Sequence, residues 1–258
     1  MGNICLSLQM NIVVSSSRRG GLKDLLPRGT LVDVNPGGKF KLLKHKAASL
    51  LPPPYRLHHK PHVYVLGGVP DITEKVKSKS PSSYHYTEII FAHESETVIE
   101  KVKTEIKSCQ SHILKKGAVP VFCTISKFNL NIYNNSLLED RKTSILLHSE
   151  FYDDMQTRID IGVDAINDYI IKLNSAINMK TPCLHTSLKK RRGSSGHGYY
   201  VYDWGLYKDG LHANDRIRSD WAKSLKVAFC KNREFDDSDE ENRSPKRSWR
   251  GEKRQRTK

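Results

Sequence analysis

Cysteine is scarce in this 258-residue chain: Cys5, Cys109, Cys123, Cys183 and Cys230 are odd in number and form no Cys-x-x-Cys pair. That scatter argues against a disulfide framework and a structural zinc ribbon. It fits free thiols in a reducing compartment, so an intracellular location, cytoplasmic or nuclear, is expected. His58, His59 and His62, and the Cys183-Leu184-His185 triplet, lack a second ligand pair at zinc-site spacing, so no metal is expected. Long apolar runs are also missing. None approaches the roughly 18 residues needed to cross a bilayer, and no membrane span is expected. The opening MGNICLSLQMNIVV has no basic start and no small-residue cleavage site, which argues against a secretory signal. Leu6 stands where an N-myristoylation motif wants Ser or Thr, which argues against lipidation with Cys5 as a palmitate acceptor. No internal repeat, P-loop, Gly-x-Ser-x-Gly elbow or heptad run is present.

Positive charge, by contrast, is abundant. Lys and Arg number 43 against 28 Asp and Glu, a formal net charge of +15. The segment from Glu234 to Lys258 is nearly neutral, an acidic block followed by a basic one, with almost nothing to bury. Residues 233–258 are therefore expected to be a disordered tail, whose SPKRSWRGEKRQRTK end could serve as a nuclear signal or a nucleic-acid contact. The body, residues 1–232, keeps 34 basic against 21 acidic residues. Such a surface attracts polyanions through phosphate neutralisation and counterion release, without identifying a sequence-specific reader.

The body reads as one domain of alternating strands and helices. MNIVVSSS (10–17), the Leu31–Val34 run of GTLVDVNPGGKF, the Val63–Leu66 run of HVYVLGGVPDIT, and AVPVFCTIS (118–126) are short apolar runs ending in turn residues. TPCLHTSL (181–188) is a candidate fifth strand. Val98, Val102, Ile106, Cys109 and Ile113 recur at helical spacing and Gly117 ends that helix. A second helix covers 150–178, with Ile159, Val163, Ile166, Ile170, Leu173 and Ile177 on one face. A closing helix starts at DRIRSDWAKSLKVAF, with Ile217, Trp221, Leu225 and Val227–Phe229 inward. Alternation of this kind predicts an α/β fold, a parallel sheet covered on both faces, with functional groups beyond the carboxyl ends of the strands. Residues 127–150 carry no motif and are expected to be a loop or lid.

YKDGLHANDRIRSDWAKSL (207–225) sets Asp209 and His212 three apart on a turn before the last helix. Taken alone, the pair suits a helix cap beside a surface histidine as well as half of a hydrolytic site. Together with the strand ends upstream, it resembles the last block of the SGNH, or GDSL-type, hydrolases, an Asp-x-x-His at the start of the final helix. IVVSSSRRGGL resembles that family's first block, VDVNPGGKF the second and VYVLGGVPDIT the third, in an order covering about residues 10–230. The Asp-Gly-Leu-His region is also similar to esterase-like modules of eukaryotic mobile elements. The resemblance implies a three-layer α/β/α, flavodoxin-like fold that hydrolyses an ester or acyl bond without metal or organic cofactor. Ser17 would be the nucleophile, His212 the general base and then acid, Asp209 the group orienting the imidazole, and Gly37 an oxyanion-hole amide.

Two departures bear on that expectation. Ser15 and Ser16 replace the Gly-Asp that precedes the family's serine, so the nucleophile could be any of Ser15–Ser17. Pro70 stands in Gly68-Val69-Pro70-Asp71 where the family has an asparagine amide, and proline has no donor. Loss of one oxyanion donor costs about 3–4 kcal/mol in the transition state. The alternative function is therefore a catalytically inactive module on the same fold that binds nucleic acid or acidic partners. SLKKRRGSSGHGYYVYDWG (187–205) bears on that alternative. It joins Lys189-Lys190-Arg191-Arg192 to Tyr199, Tyr200, Tyr202 and Trp204, groups that could grip phosphates and stack bases, or form a solvated loop leading into the core.

Overall fold

Four runs of β-branched and aliphatic residues lie side by side in the computed structural model of the chain, which describes residues 10–16, 21–52, 59–79, 85–91, 95–140, 149–193 and 198–243. In chain order the first elements are β1 (Asn11–Ser15), α1 (Leu22–Leu25), β2 (Leu31–Val34), α2 (Phe40–Leu50), β3 (His62–Leu66) and α3 (Val69–Ile72). A hairpin, β4 (Thr73–Lys79) with β5 (His85–Phe91), is followed by α4 (Ser95–Lys115), β6 (Val119–Phe122), α5 (Leu130–Asp140) and α6 (Ser149–Ser175). A second hairpin, β7 (Lys189–Arg192) with β8 (Tyr199–Tyr202), precedes α7 (Asp215–Arg243).

The sheet has the order β2-β1-β3-β6, and every pairing within it is parallel. Alternate side chains of a strand point to opposite faces, and both faces here are apolar. Ile12, Val14, Val63, Val65 and Phe122 pack against a layer containing α2, α4 and α6. Val13, Tyr64, Leu66, Val121 and Cys123 pack against α1 and α7 through Leu22, Ala222, Leu225 and Phe229. The result is the expected three-layer α/β/α arrangement. The helical spacings hold for Val102, Ile106, Cys109 and Ile113 of α4 and for Ile159, Val163, Ile166 and Ile170 of α6, all buried, whereas Ile177 lies past the end of α6 and packs on the opposite side of the sheet. Each such side chain contributes about 1.5–3 kcal/mol relative to exposure. Gly117, at φ +79°, leaves the helix in the left-handed conformation.

Four expectations need correction. Residues 181–188 do not form a fifth strand; Leu184–Leu188 is a 3-10 turn. The reason lies along β6, whose outer border is occupied by side chains. Asn174 of α6 accepts the Phe122 N–H at 3.0 Å and donates to the Phe122 carbonyl at 2.7 Å. Two turns earlier, Asn167 does the same for Ile125, at 2.6 and 2.9 Å. These amides imitate the backbone of a neighbouring strand, and Pro182, which has no N–H, meets the sheet only through its carbonyl, which accepts from Thr124 N–H at 3.1 Å. Residues 127–150 are not simply a loop, since α5 occupies Leu130–Asp140. Val227 faces solvent at 54% exposure instead of pointing inward with Phe229. Finally, α7 continues to Arg243, into the segment expected to lack structure.

Candidate functional site

Because the four strands are parallel, their carboxyl ends share one border of the sheet. A cavity of about 540 Å³ opens there. Its wall combines Ser15 and Ser16 from the end of β1, Pro36 and Gly37 after β2, Gly67, Val69 and Pro70 after β3, Thr124–Ser126 after β6, and Leu211–Ala213 from the turn before α7. The first and last segments of the domain therefore meet at one site. Ser17 itself lies outside the described residues.

The Asp209–His212 turn is held from several sides. One Asp209 oxygen accepts the backbone N–H of Leu211 at 3.2 Å and of His212 at 2.7 Å. The other lies 2.5 Å from His212 Nδ1. Lys208 N–H donates to the His212 carbonyl at 2.9 Å, and Tyr207 and Ala213 bridge across the base of the turn. Asn214 then caps α7, its side-chain oxygen accepting the N–H groups of Arg216 and Ile217 at 3.0 and 3.1 Å. The chain thus reverses between Asp209 and His212 and only afterwards enters the helix. Burial pushes the Asp209 carboxyl up, but the hydrogen bonds from the His212 ring and backbone and from Leu211 outweigh it. The net effect holds Asp209 below its ordinary value. With a carboxylate against Nδ1, that nitrogen carries the ring proton and leaves Nε2 as the acceptor.

Residues that sequence reasoning did not single out fix the turn in place. Gly210, at φ +78°, passes so close to α5 that a Cβ there would lie 2.6 Å from the Asn129 carbonyl oxygen and 2.8 Å from the Tyr133 nitrogen. Its own carbonyl accepts the Asn129 N–H at 2.8 Å. Asn129 caps α5 by accepting the Ile132 N–H at 2.8 Å. Tyr133, 4% exposed, sets its ring 6.1 Å from the His212 ring. Tyr207 donates to the Lys127 carbonyl at 2.6 Å and contacts Ser126 Oγ at 3.0 Å, joining the turn to the segment after β6. Burial pushes its hydroxyl pKa above the ordinary tyrosine value, so it serves as a neutral donor. Only the glycine inside Asp-Gly-Leu-His carried any prior signal, since a glycine there allows a close backbone approach.

The second and third glycine segments are joined by Asp71. Both of its carboxylate oxygens lie 3.2 Å from Phe40 N, at the first turn of α2. Desolvation raises its pKa to about 7, against the lowering effects of the Phe40 N–H and Lys39. Gly68 has φ +114°, and a Cβ there would collide with Ile125 of the segment after β6. Gly37 has φ +71°, and its N–H donates to the Ser16 carbonyl at 3.1 Å. Pro70 occupies the first turn of α3, where a missing N–H does no harm to the helix, and its ring faces the cavity.

Thiol chemistry does not suit this cavity. Cys123 at the end of β6 is 1% exposed and burial pushes its thiol pKa well up, the opposite of a reactive thiolate. Among the described residues, no group of three or more His, Cys, Asp or Glu is arranged to hold a metal ion. No helix of the described residues is long and apolar enough to cross a membrane.

No known family profile matches the chain, and no curated protein does. Solved structures do. A candidate acylhydrolase of Bacteroides fragilis aligns over 87% of each chain at 11% identity with a TM-score of 0.50. A GDSL-like lipase of Bacteroides thetaiotaomicron aligns over 87% of this chain and 88% of its own, again at 11% identity, with a TM-score of 0.52. The chain has the fold of the SGNH, GDSL-type hydrolases. Its sequence is a highly divergent version of that fold.

Proposed function

We propose that the protein is a serine hydrolase acting on an ester or acyl bond, with Ser17, His212 and Asp209 as its catalytic residues. One observation carries the reading: the Asp209 carboxylate sits 2.5 Å from His212 Nδ1, and that histidine lines the same cavity as Ser16, the neighbour of Ser17 in the chain. Ser17 Oγ attacks the substrate carbonyl carbon while its proton passes to His212 Nε2. The tetrahedral intermediate expels the alcohol, which leaves with that proton, and water then releases the acid from the acyl-serine by the reverse proton path. Asp209 holds the imidazole in the required tautomer and stabilises the imidazolium. Gly37 supplies an oxyanion N–H once that group exchanges the Ser16 carbonyl for the substrate oxygen. Pro70 removes the side-chain donor that would otherwise assist, so turnover is slow. Leu66, Val69, Ile125, Phe128, Leu184 and Leu211 make much of the wall apolar, which suits an acyl chain. The relatives in structure, a GDSL-like lipase and a candidate acylhydrolase, support the same reaction class.

A fluorophosphonate probe tests the reading directly. The wild-type chain is expected to be labelled, with labelling lost in Ser17→Ala and strongly reduced in His212→Ala. Labelling that survives Ser17→Ala but disappears in Ser16→Ala would move the nucleophile by one residue. An unlabelled wild-type protein, inert toward nitrophenyl esters, would overturn the proposal.

A further inference from the structure

The second hairpin has no part in the catalytic arrangement, yet it is unusually built for a solvent-facing element. All four residues of β7, Lys189-Lys190-Arg191-Arg192, are exposed. They pair in antiparallel register with β8, so that Arg192 lies opposite Tyr199 and Arg191 opposite Tyr200. Tyr200 at 67% and Tyr199 at 60% are, with Ile161, the three most exposed large hydrophobic side chains among the described residues. Successive residues of a strand point to opposite faces, so each face of the ribbon offers one tyrosine ring beside one guanidinium.

The ribbon is also held firmly at its base. Asp203 N–H donates to the Leu188 carbonyl at 2.9 Å, and Leu188 is fully buried. Tyr202 stacks on Trp204 at 5.4 Å, and Trp204 stacks on Tyr207 at 6.4 Å. Lys127 sits over the Tyr202 ring at 5.1 Å. Asp203 lies 3.8 Å from Lys190, on the side of the ribbon where it joins the domain.

We propose that the β7–β8 hairpin is a binding element for single-stranded nucleic acid. Its cations track the phosphates and Tyr199 and Tyr200 stack against unpaired bases. Charge complementarity supports this partner: four consecutive cations project from a body that already carries a large positive excess. The exposed rings favour it over a membrane. Insertion into a headgroup layer needs apolar side chains on a single face, whereas here the two exposed rings lie on opposite faces. They favour a single strand over a duplex because stacking needs bases with an open face, and such stacking is tolerant of sequence.

The test is fluorescence anisotropy of a labelled oligothymidine against the full chain, with the same oligomer as a duplex for comparison. Two surface variants probe the two halves of the idea, each with its thermal melt checked against wild type. Lys190→Glu/Arg192→Glu is expected to weaken binding at least tenfold on both probes and to flatten the dependence on salt between about 50 and about 200 mM. Tyr199→Ala/Tyr200→Ala is expected to weaken single-strand binding about tenfold while changing duplex binding less than threefold. No binding by wild type, or binding that both variants leave within twofold, would overturn the proposal and assign any residual affinity to other basic surfaces. A charge-variant-sensitive association with phosphatidylserine vesicles, in the absence of oligonucleotide binding, would also overturn it in favour of a lipid partner.

Discussion

Gly210 and Asn129 lie backbone against backbone: the Asn129 N–H donates to the Gly210 carbonyl, and the Asn129 carbonyl occupies the space that a Cβ on residue 210 would need. Gly210 also has φ +78°, a conformation that L side chains rarely adopt. A single methyl group must therefore push the Asp209–His212 turn off α5 or strain its backbone. Gly210→Ala is expected to cut kcat/KM on a nitrophenyl ester at least a hundredfold while costing about 1–3 kcal/mol of stability. Urea unfolding beside steady-state kinetics checks both. A variant with wild-type activity would show that the turn tolerates displacement.

Restoring the missing amide is the complementary test. Pro70 stands in the first turn of α3 and lines the cavity, so asparagine there would add a donor without removing a helical hydrogen bond. Pro70→Asn is expected to raise kcat at least tenfold, within the hundred- to thousandfold that one such donor supplies. An unchanged kcat in a correctly folded variant would mean that the oxyanion is held by other groups.

Asp71 makes stability depend on pH in an unusual direction. Its pKa is about 7 in the folded chain, above the ordinary carboxylate value, so the native state keeps a proton that the unfolded chain has already released. Stability from this group is fully present below the unfolded value and is lost as pH rises from about 4 to about 7. Urea midpoints measured across that window are expected to fall for wild type. Asp71→Asn keeps an acceptor for the Phe40 N–H and removes the titration, and its midpoints are expected to stay level by comparison.

Asn174 is expected to be worth more than its size suggests. It serves both backbone groups of Phe122 and also donates to Thr181 Oγ at 3.0 Å, all in a buried setting. Asn174→Leu fills the space but strands a buried N–H and a buried carbonyl, at a cost of about 2–4 kcal/mol. Chemical denaturation measures this. A loss below about 0.5 kcal/mol would show that another strand or water takes over those groups.

The strands and the two long helices were legible because their signal is local. β-branched runs such as Ile12–Val14 and Val63–Val65 declare themselves, as do the three- and four-residue spacings of α4 and α6. The hairpin of β4 and β5 was not foreseen, because Thr-Glu-Lys-Val-Lys-Ser-Lys has a single strongly apolar residue. The α5 helix was hidden by three asparagines, poor helix formers, within Leu130–Asp140. At the site, the Asp209–His212 spacing was readable since both residues sit on one turn. The parts contributed by Tyr133, Tyr207 and Ser126 were not, because nothing in their neighbouring residues records which distant segments they meet. Residues 181–188 were mistaken for a strand for a related reason: apolar content marks burial, but hydrogen-bond competition from Asn167 and Asn174 decided the backbone's geometry.

The amides of Asn167 and Asn174 have a further effect, on how copies of this chain can associate. Among the described residues, the other border strand of the sheet is β2. Two molecules that joined there by antiparallel β2 strands would each present only a blocked β6 side to newcomers. Growth by that route would stop at a pair, which closes one path to open-ended fibre formation.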